Sequence, residues 1–202
     1  MHSILFLGDS YTIGEGLPLA DSYPYQTVQK LRQAGCPFYA PEIIARTGWT
    51  TDELMTAIHA TTLLPSYSIV TLLIGVNNQY RGRDSREYAG EFTGLLQMAL
   101  RLTGSPAHVF VLSIPDWGVS PFAAGRDRVK ITRAIDDFNH VAQTITLREA
   151  ATFIDITTHS RTIGADPFAF TSDGLHPAKT TYAHWAGELG SHLSKYYSVH
   201  PY

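Results

Sequence analysis

Residues 3–12, Ser3-Ile-Leu-Phe-Leu-Gly-Asp-Ser-Tyr-Thr, decide how the rest of the chain is read. Four apolar residues, Ile4 to Leu7, run directly into Gly8-Asp9-Ser10. A short apolar run closed by a Gly/Asp/Ser turn predicts a buried strand, and strands buried on both faces belong to parallel sheets. Open parallel sheets bind ligands beyond the carboxyl ends of their strands. Ser10 is therefore expected at a strand end, in the place of a nucleophile. Far along the chain, residues 171–177 read Thr-Ser-Asp-Gly-Leu-His-Pro. Asp173 and His176, in one turn, are the partners that a serine nucleophile requires.

Outward from that first strand, the pattern alternates. Residues 22–34 predict a helix, with Pro24 tolerated in its first turn and Gly35 closing it. Residues 41–46 predict a second strand ending at Thr47-Gly48-Trp49. Thr50 or Thr51 can cap the next helix, which carries Asp52 and Glu53 in its first turn and runs to about residue 62. Residues 67–74, almost all β-branched or leucine, predict a central strand ending at Gly75-Val-Asn77-Asn78. A helix from Asp84 or Ser85 to residue 102, a strand over 107–114, a helix over 127–147 and a strand over 151–156 follow. A last helix begins at Pro177 and reaches residue 196. The longest irregular stretch, 115–125, is of a length that often carries function.

Five strands alternating with helices predict a three-layer α/β/α sandwich around a five-stranded parallel sheet. Flavodoxin-like order, 2-1-3-4-5, is expected, with right-handed crossovers. With 202 residues and no linker or internal repeat, residues 1–202 are expected to form one domain.

Composition narrows the function classes. A net charge of -3 gives no reason to expect a nucleic-acid partner. The single cysteine, Cys36, cannot form an internal disulfide. No apolar run approaches the roughly 20 residues that span a bilayer. Ile4 to Leu7 is too short and lacks the basic flank of a signal peptide, so a cytoplasmic location is expected. Gly14-Glu-Gly16 lacks the third glycine and helix start of a phosphate loop. Histidines 2, 59, 108, 140, 159, 184, 192 and 200 are scattered without metal-ligand spacing, so no metal and no cofactor is expected.

The chemistry then follows from residue types. A serine hydroxyl is a weak nucleophile until a base takes its proton. His176 is the candidate base, and Asp173 the carboxylate that orients it. An oxyanion needs donors, and the N–H groups of Ser10 and Gly48 with the Asn77 side-chain amide stand at neighbouring strand ends. Asp9 is expected to stabilise its turn. Tyr11, Trp49, Asn78, Tyr80, Arg81, Trp117, Phe122 and Phe168 lie on or near the same loops and are candidate substrate contacts.

Four blocks spanning nearly the whole chain carry a resemblance to the GDSL esterase/lipase family, the SGNH hydrolases. They are Gly8-Asp9-Ser10-Tyr11, Thr47-Gly48-Trp49-Thr50-Thr51, Gly75-Val76-Asn77-Asn78 and Asp173-Gly174-Leu175-His176. Tyr11 stands where the family name has Leu, and Asn78 where the third block usually has Asp. The resemblance implies Ser10 as nucleophile, His176 as base, Asp173 as its orienting acid, and Ser10, Gly48 and Asn77 as oxyanion donors. It also implies a small-molecule ester substrate hydrolysed through an acyl-enzyme, as in the family's lysophospholipase-like esterases. A carbohydrate O-acetylesterase of the same family is the close alternative, and a non-catalytic flavodoxin-like binding module the alternative from another class. The Gly-x-Ser-x-Gly elbow of α/β-hydrolases is missing, since position 12 is Thr.

Overall fold

The computed structural model describes residues 1–199, so His200 lies outside the described residues. Five parallel strands, β1 (Ile4–Gly8), β2 (Glu42–Ala45), β3 (Ile69–Leu73), β4 (Val109–Leu112) and β5 (Thr152–Ile154), form one sheet in the order β2-β1-β3-β4-β5. This is the expected order, with β3 at the centre. Every residue of β1, β3 and β4 is buried, as a sheet covered on both faces demands.

Eight helices accompany the strands among the described residues. They are α1 (Ser10–Ile13), α2 (Tyr23–Gln33), α3 (Thr51–Ala60), α4 (Val76–Tyr80), α5 (Ser85–Thr103), α6 (Arg128–Arg148), α7 (Thr157–Ile163) and α8 (Lys179–Val199). Helix α2 packs on α8, while α3 packs on α5 and α5 on α6. Tyr23 of α2 meets Tyr182 and Trp185 of α8, all three fully buried, with ring centroids 6.3 and 6.2 Å apart. Alternating crossovers have thus put helices on both sides of the sheet.

Helix ends follow local chemistry. Thr50 and Glu53 make a capping box at α3, each side chain bonding the other's backbone N–H. Asp84 and Asp127 cap α5 and α6 through the N–H groups of Arg86 and Lys130. Gly104 closes α5 in the left-handed conformation.

The structure differs from expectation in three short helices and in strand lengths. Helices α1, α4 and α7 span four, five and seven residues, too few for a 3.6-residue period to show. Strand β4 begins at Val109 because Pro106–His108 forms a 3-10 turn. Strand β3 begins at Ile69 because Tyr67 turns its hydroxyl to Glu42, 2.7 Å away. Strand β5 stops at Ile154, and Asp155 accepts the N–H groups of Thr157 and Thr158 at the start of α7. The irregular stretch 115–125 contains two 3-10 turns, Trp117–Val119 and Pro121–Ala123.

Candidate active site

Strand β1 and helix α1 are separated by one residue, Asp9. Its Oδ1 accepts the Tyr11 N–H at 3.0 Å and so caps α1. Ser10 is the first helical residue, where a helix supplies no acceptor for the backbone N–H. Such a tight strand-to-helix step needs a glycine before it. A Cβ on Gly8 would lie 2.5 Å from the Leu73 carbonyl oxygen and would collide with the Thr12 side chain. Asp9 itself is buried, and its Oδ2 has no hydrogen-bond partner. Burial pushes its carboxyl up to about 7, against the pull of the Tyr11 N–H.

The turn after the 3-10 segment Pro167–Ala169 brings the other two groups. His176 Nε2 lies 2.9 Å from Ser10 Oγ, and its Nδ1 lies 2.6 Å from Asp173 Oδ2. Ser10 and His176 are 6% and 8% exposed. The second oxygen of Asp173 accepts the N–H groups of Leu175 and His176 at 2.8 and 3.0 Å and the Thr171 hydroxyl at 2.8 Å. Burial alone would raise the Asp173 pKa. The hydrogen bonds from His176, Leu175 and Thr171 outweigh that and hold it at about 2. The turn is closed by the Thr171 N–H donating to the His176 carbonyl at 2.7 Å. Tyr11 packs edge-on against the His176 ring, centroids 5.7 Å apart.

Gly48 and Asn77 border the same strand ends. Gly48 has φ +85°, a conformation that side chains disfavour, although a Cβ there would meet nothing closer than Arg81 Nη2 at 3.7 Å. Backbone geometry, more than crowding, accounts for this glycine. Two side chains pin its loop: Arg81 Nη2 donates to the Gly48 carbonyl at 2.6 Å, and Asn77 Nδ2 to the Trp49 carbonyl at 2.9 Å. The Asn77 amide keeps a second N–H.

A cavity of about 190 Å³ opens beside Ser10 and His176, lined also by Tyr11, Val76, Asn77, Tyr80, Trp117, Phe122 and Leu175. Tyr11, Tyr80, Trp117 and Phe122 among the candidate contacts therefore reach it. Four others stand elsewhere. Asn78 is fully buried; its amide donates to Thr51 Oγ1 at 2.6 Å and Glu91 Oε2 at 3.3 Å, and its Oδ1 accepts the Thr51 N–H. Arg81 is spent on the Gly48 carbonyl and on an ion pair with Glu53, 3.4 Å away. Trp49 packs against the core, and Phe168 is 83% exposed on its 3-10 turn, away from the cavity wall. Sequence reasoning missed Val76 and Leu175, whose signal was their position inside the third and fourth blocks.

His159 and His184, read as scattered, stack face to face at 3.6 Å between α7 and α8. Among the described residues no three His, Cys, Asp or Glu side chains form a metal-ligand cluster, and no helix is long and apolar enough to cross a membrane.

The family model described as GDSL-like lipase/acylhydrolase matches residues 6–184. Solved structures with the same fold include a lipase/acylhydrolase from Enterococcus faecalis (18% identity, 97% of each chain covered, TM-score 0.78). Another is the psychrotrophic esterase EstA from Pseudoalteromonas sp. (16% identity, 98% of this chain and 100% of that one, TM-score 0.75). A third is Axe2, an acetylxylan esterase from Geobacillus stearothermophilus (17% identity, 95% and 94% covered, TM-score 0.76). No curated protein matches the sequence.

Proposed function

The chain belongs to the GDSL-like lipase/acylhydrolase family, and from that premise we propose that it is a serine esterase whose nucleophile is Ser10. The observation that carries this reading is the array Asp173–His176–Ser10, with contacts of 2.6 and 2.9 Å. Ser10 Oγ attacks the ester carbonyl carbon while His176 Nε2 takes its proton. The carbonyl π electrons move to oxygen, which the Ser10 N–H, the Gly48 N–H and the free N–H of Asn77 receive. Collapse of the intermediate breaks the ester C–O bond, and His176 returns the proton to the departing alkoxide. Water then repeats the sequence on the acyl-enzyme and releases the acid. Asp173, ionised over the whole working range, fixes the His176 tautomer and offsets the imidazolium charge.

The cavity volume of about 190 Å³ is below the roughly 300 Å³ at which ligand pockets for drug-sized molecules begin. This favours a short acyl group over a fully enclosed long one. An O-acetyl ester of a carbohydrate fits that size, whereas a lysophospholipid chain would have to run outside the cavity. A p-nitrophenyl ester series from acetate to palmitate, with Ser10→Ala alongside, tests the reading. The expected result is hydrolysis that peaks at short chains and falls by roughly 10³-fold or more in the variant. An inert wild type that also fails to react with a fluorophosphonate at Ser10 would leave the non-catalytic binding module as the better account.

A further inference from the structure

A second cavity, of about 440 Å³, adjoins the first and shares two of its walls, Tyr80 and Trp117. Its character is different. Arg83, Arg126 and Lys130 line it, on a chain whose net charge is -3. Arg83 is neutralised by Asp52, 2.7 Å away, with Glu87 and Glu91 close by. Arg126 and Lys130 take part in no ion pair among the described residues. The Asp127 carboxylate lines the same cavity and caps α6, accepting the Lys130 N–H at 3.0 Å, so the two cations exceed it by one charge.

Arg126 is also held in place. Its guanidinium carbon lies 4.7, 5.4 and 5.5 Å from the ring centroids of Phe122, Trp117 and Tyr80, and its Nη2 is 3.4 Å from the Tyr80 hydroxyl. Those three rings are the wall of the cavity at Ser10. One aromatic partition therefore presents an apolar face to the candidate nucleophile and carries a cation on its other side. A guanidinium stacked on rings keeps its fork of donors for planar oxyanions.

We propose that this second cavity is an anion subsite, in which Arg126 and Lys130 bind a phosphate or carboxylate on the alcohol half of the ester while the short acyl group occupies the aromatic cavity. The assignment of halves rests on the esterase reading above; the anion site does not. The substrates it selects are short-chain esters of acidic alcohols, such as a phosphorylated polyol or a sugar acid. Esters of the corresponding neutral alcohols lose the contact and are poorer substrates.

Calorimetric titration of the Ser10→Ala protein decides the proposal without turnover. The probes are glycerol 3-phosphate and glucuronate, with glycerol and glucose as their neutral counterparts. At least one anion is expected to bind about 10-fold more tightly than its counterpart. That margin should be lost in Arg126→Gln, reduced in Lys130→Gln, and only partly kept in Arg126→Lys, which retains the charge without the fork of donors. Preference for glycerol 3-phosphate or for glucuronate identifies the source of the anion, and either one supports the site. No charge preference, or a preference indifferent to Arg126 and Lys130, overturns it. Acetyl esters of the same four compounds, given to the wild type, test the esterase reading separately. If none is hydrolysed while the titration discriminates charge, the anion site stands and the esterase reading falls. If they are hydrolysed while the titration shows no preference, the reverse holds.

Discussion

His176 Nε2 stands 2.9 Å from Ser10 Oγ although 166 residues separate the two in the chain. His176 is held there by three contacts, two to its ring and one to its backbone. Asp173 takes its Nδ1, the Thr171 N–H takes its carbonyl, and Tyr11 lies edge-on against it. Replacement of His176 by Ala leaves Ser10 without a base. The expected loss in kcat for p-nitrophenyl acetate is roughly 10³-fold or more, with KM little changed. Fluorophosphonate labelling of Ser10 should slow in parallel.

Asp173 gives a sign as well as a size. Its folded pKa is depressed from the ordinary 3.8 to about 2. The stability it contributes is therefore complete above pH 3.8 and is lost as pH falls toward 2. Its side chain is 43% exposed, and solvent screening keeps that contribution to about 1 kcal/mol or less. Urea unfolding of Asp173→Asn should show this deficit at pH 7 and a smaller one at pH 3. Activity should suffer far more than stability, by roughly 10⁴-fold, because the His176 tautomer is no longer fixed.

Asn78 is matched to Glu91. Its amide donates to that carboxylate and to the Thr51 hydroxyl, which also donates to Glu91. An aspartate at this fully buried position would lose the amide donor and face the Glu91 carboxylate, with only the Thr51 hydroxyl and N–H to serve both. Asn78→Asp is expected to destabilise the protein by about 2–4 kcal/mol at pH 7. The double variant with Glu91→Gln should recover most of that. Chemical denaturation of both checks it, and additivity of the two changes would refute the coupling. The Asn in the third block is thus part of a pair whose other member lies 13 residues on, in α5.

His159 lowers acid tolerance. Burial and then the neighbouring His184 depress its pKa below 6.5, with Glu188 acting weakly in the other direction. A base with a depressed folded pKa favours folding above its unfolded pKa, and this is lost as pH falls through the folded value. The melting temperature should drop as pH falls below 6.5, and His159→Gln should flatten that drop. An unchanged slope in the variant would remove His159 from the account.

Much of this architecture was legible in the chain. The buried strands announce themselves because a parallel sheet covered on both faces leaves unbroken apolar runs, as in Ile4–Gly8 and Ile69–Leu73. Ser10 was legible as the residue just after an apolar strand, and Asp173 and His176 as an acid and an imidazole in one turn, which the fold brings to Ser10. What was not legible depends on contacts between distant segments. Arg81 looked available until its guanidinium met the Gly48 carbonyl 33 residues away. Asn78 read as a substrate contact on its turn, whereas α4 turns it inward onto Thr51 and Glu91. The stacking of Arg126 on three rings, one from the end of α4 and two from the 115–125 stretch, has no sequence signature at all.

The packing of α2 on α8 also sets a timetable for synthesis. The apolar face of α2, with Tyr23, Val28 and Leu31, is made roughly 150 residues before its cover of Tyr182, Trp185 and Leu189. At roughly 5–20 residues per second, that face waits on the order of ten seconds on the ribosome. For all of that interval the nascent chain displays an unsatisfied sticky surface beside a serine that has no base. Exposure of that face until α8 has been made follows from where this helix docks.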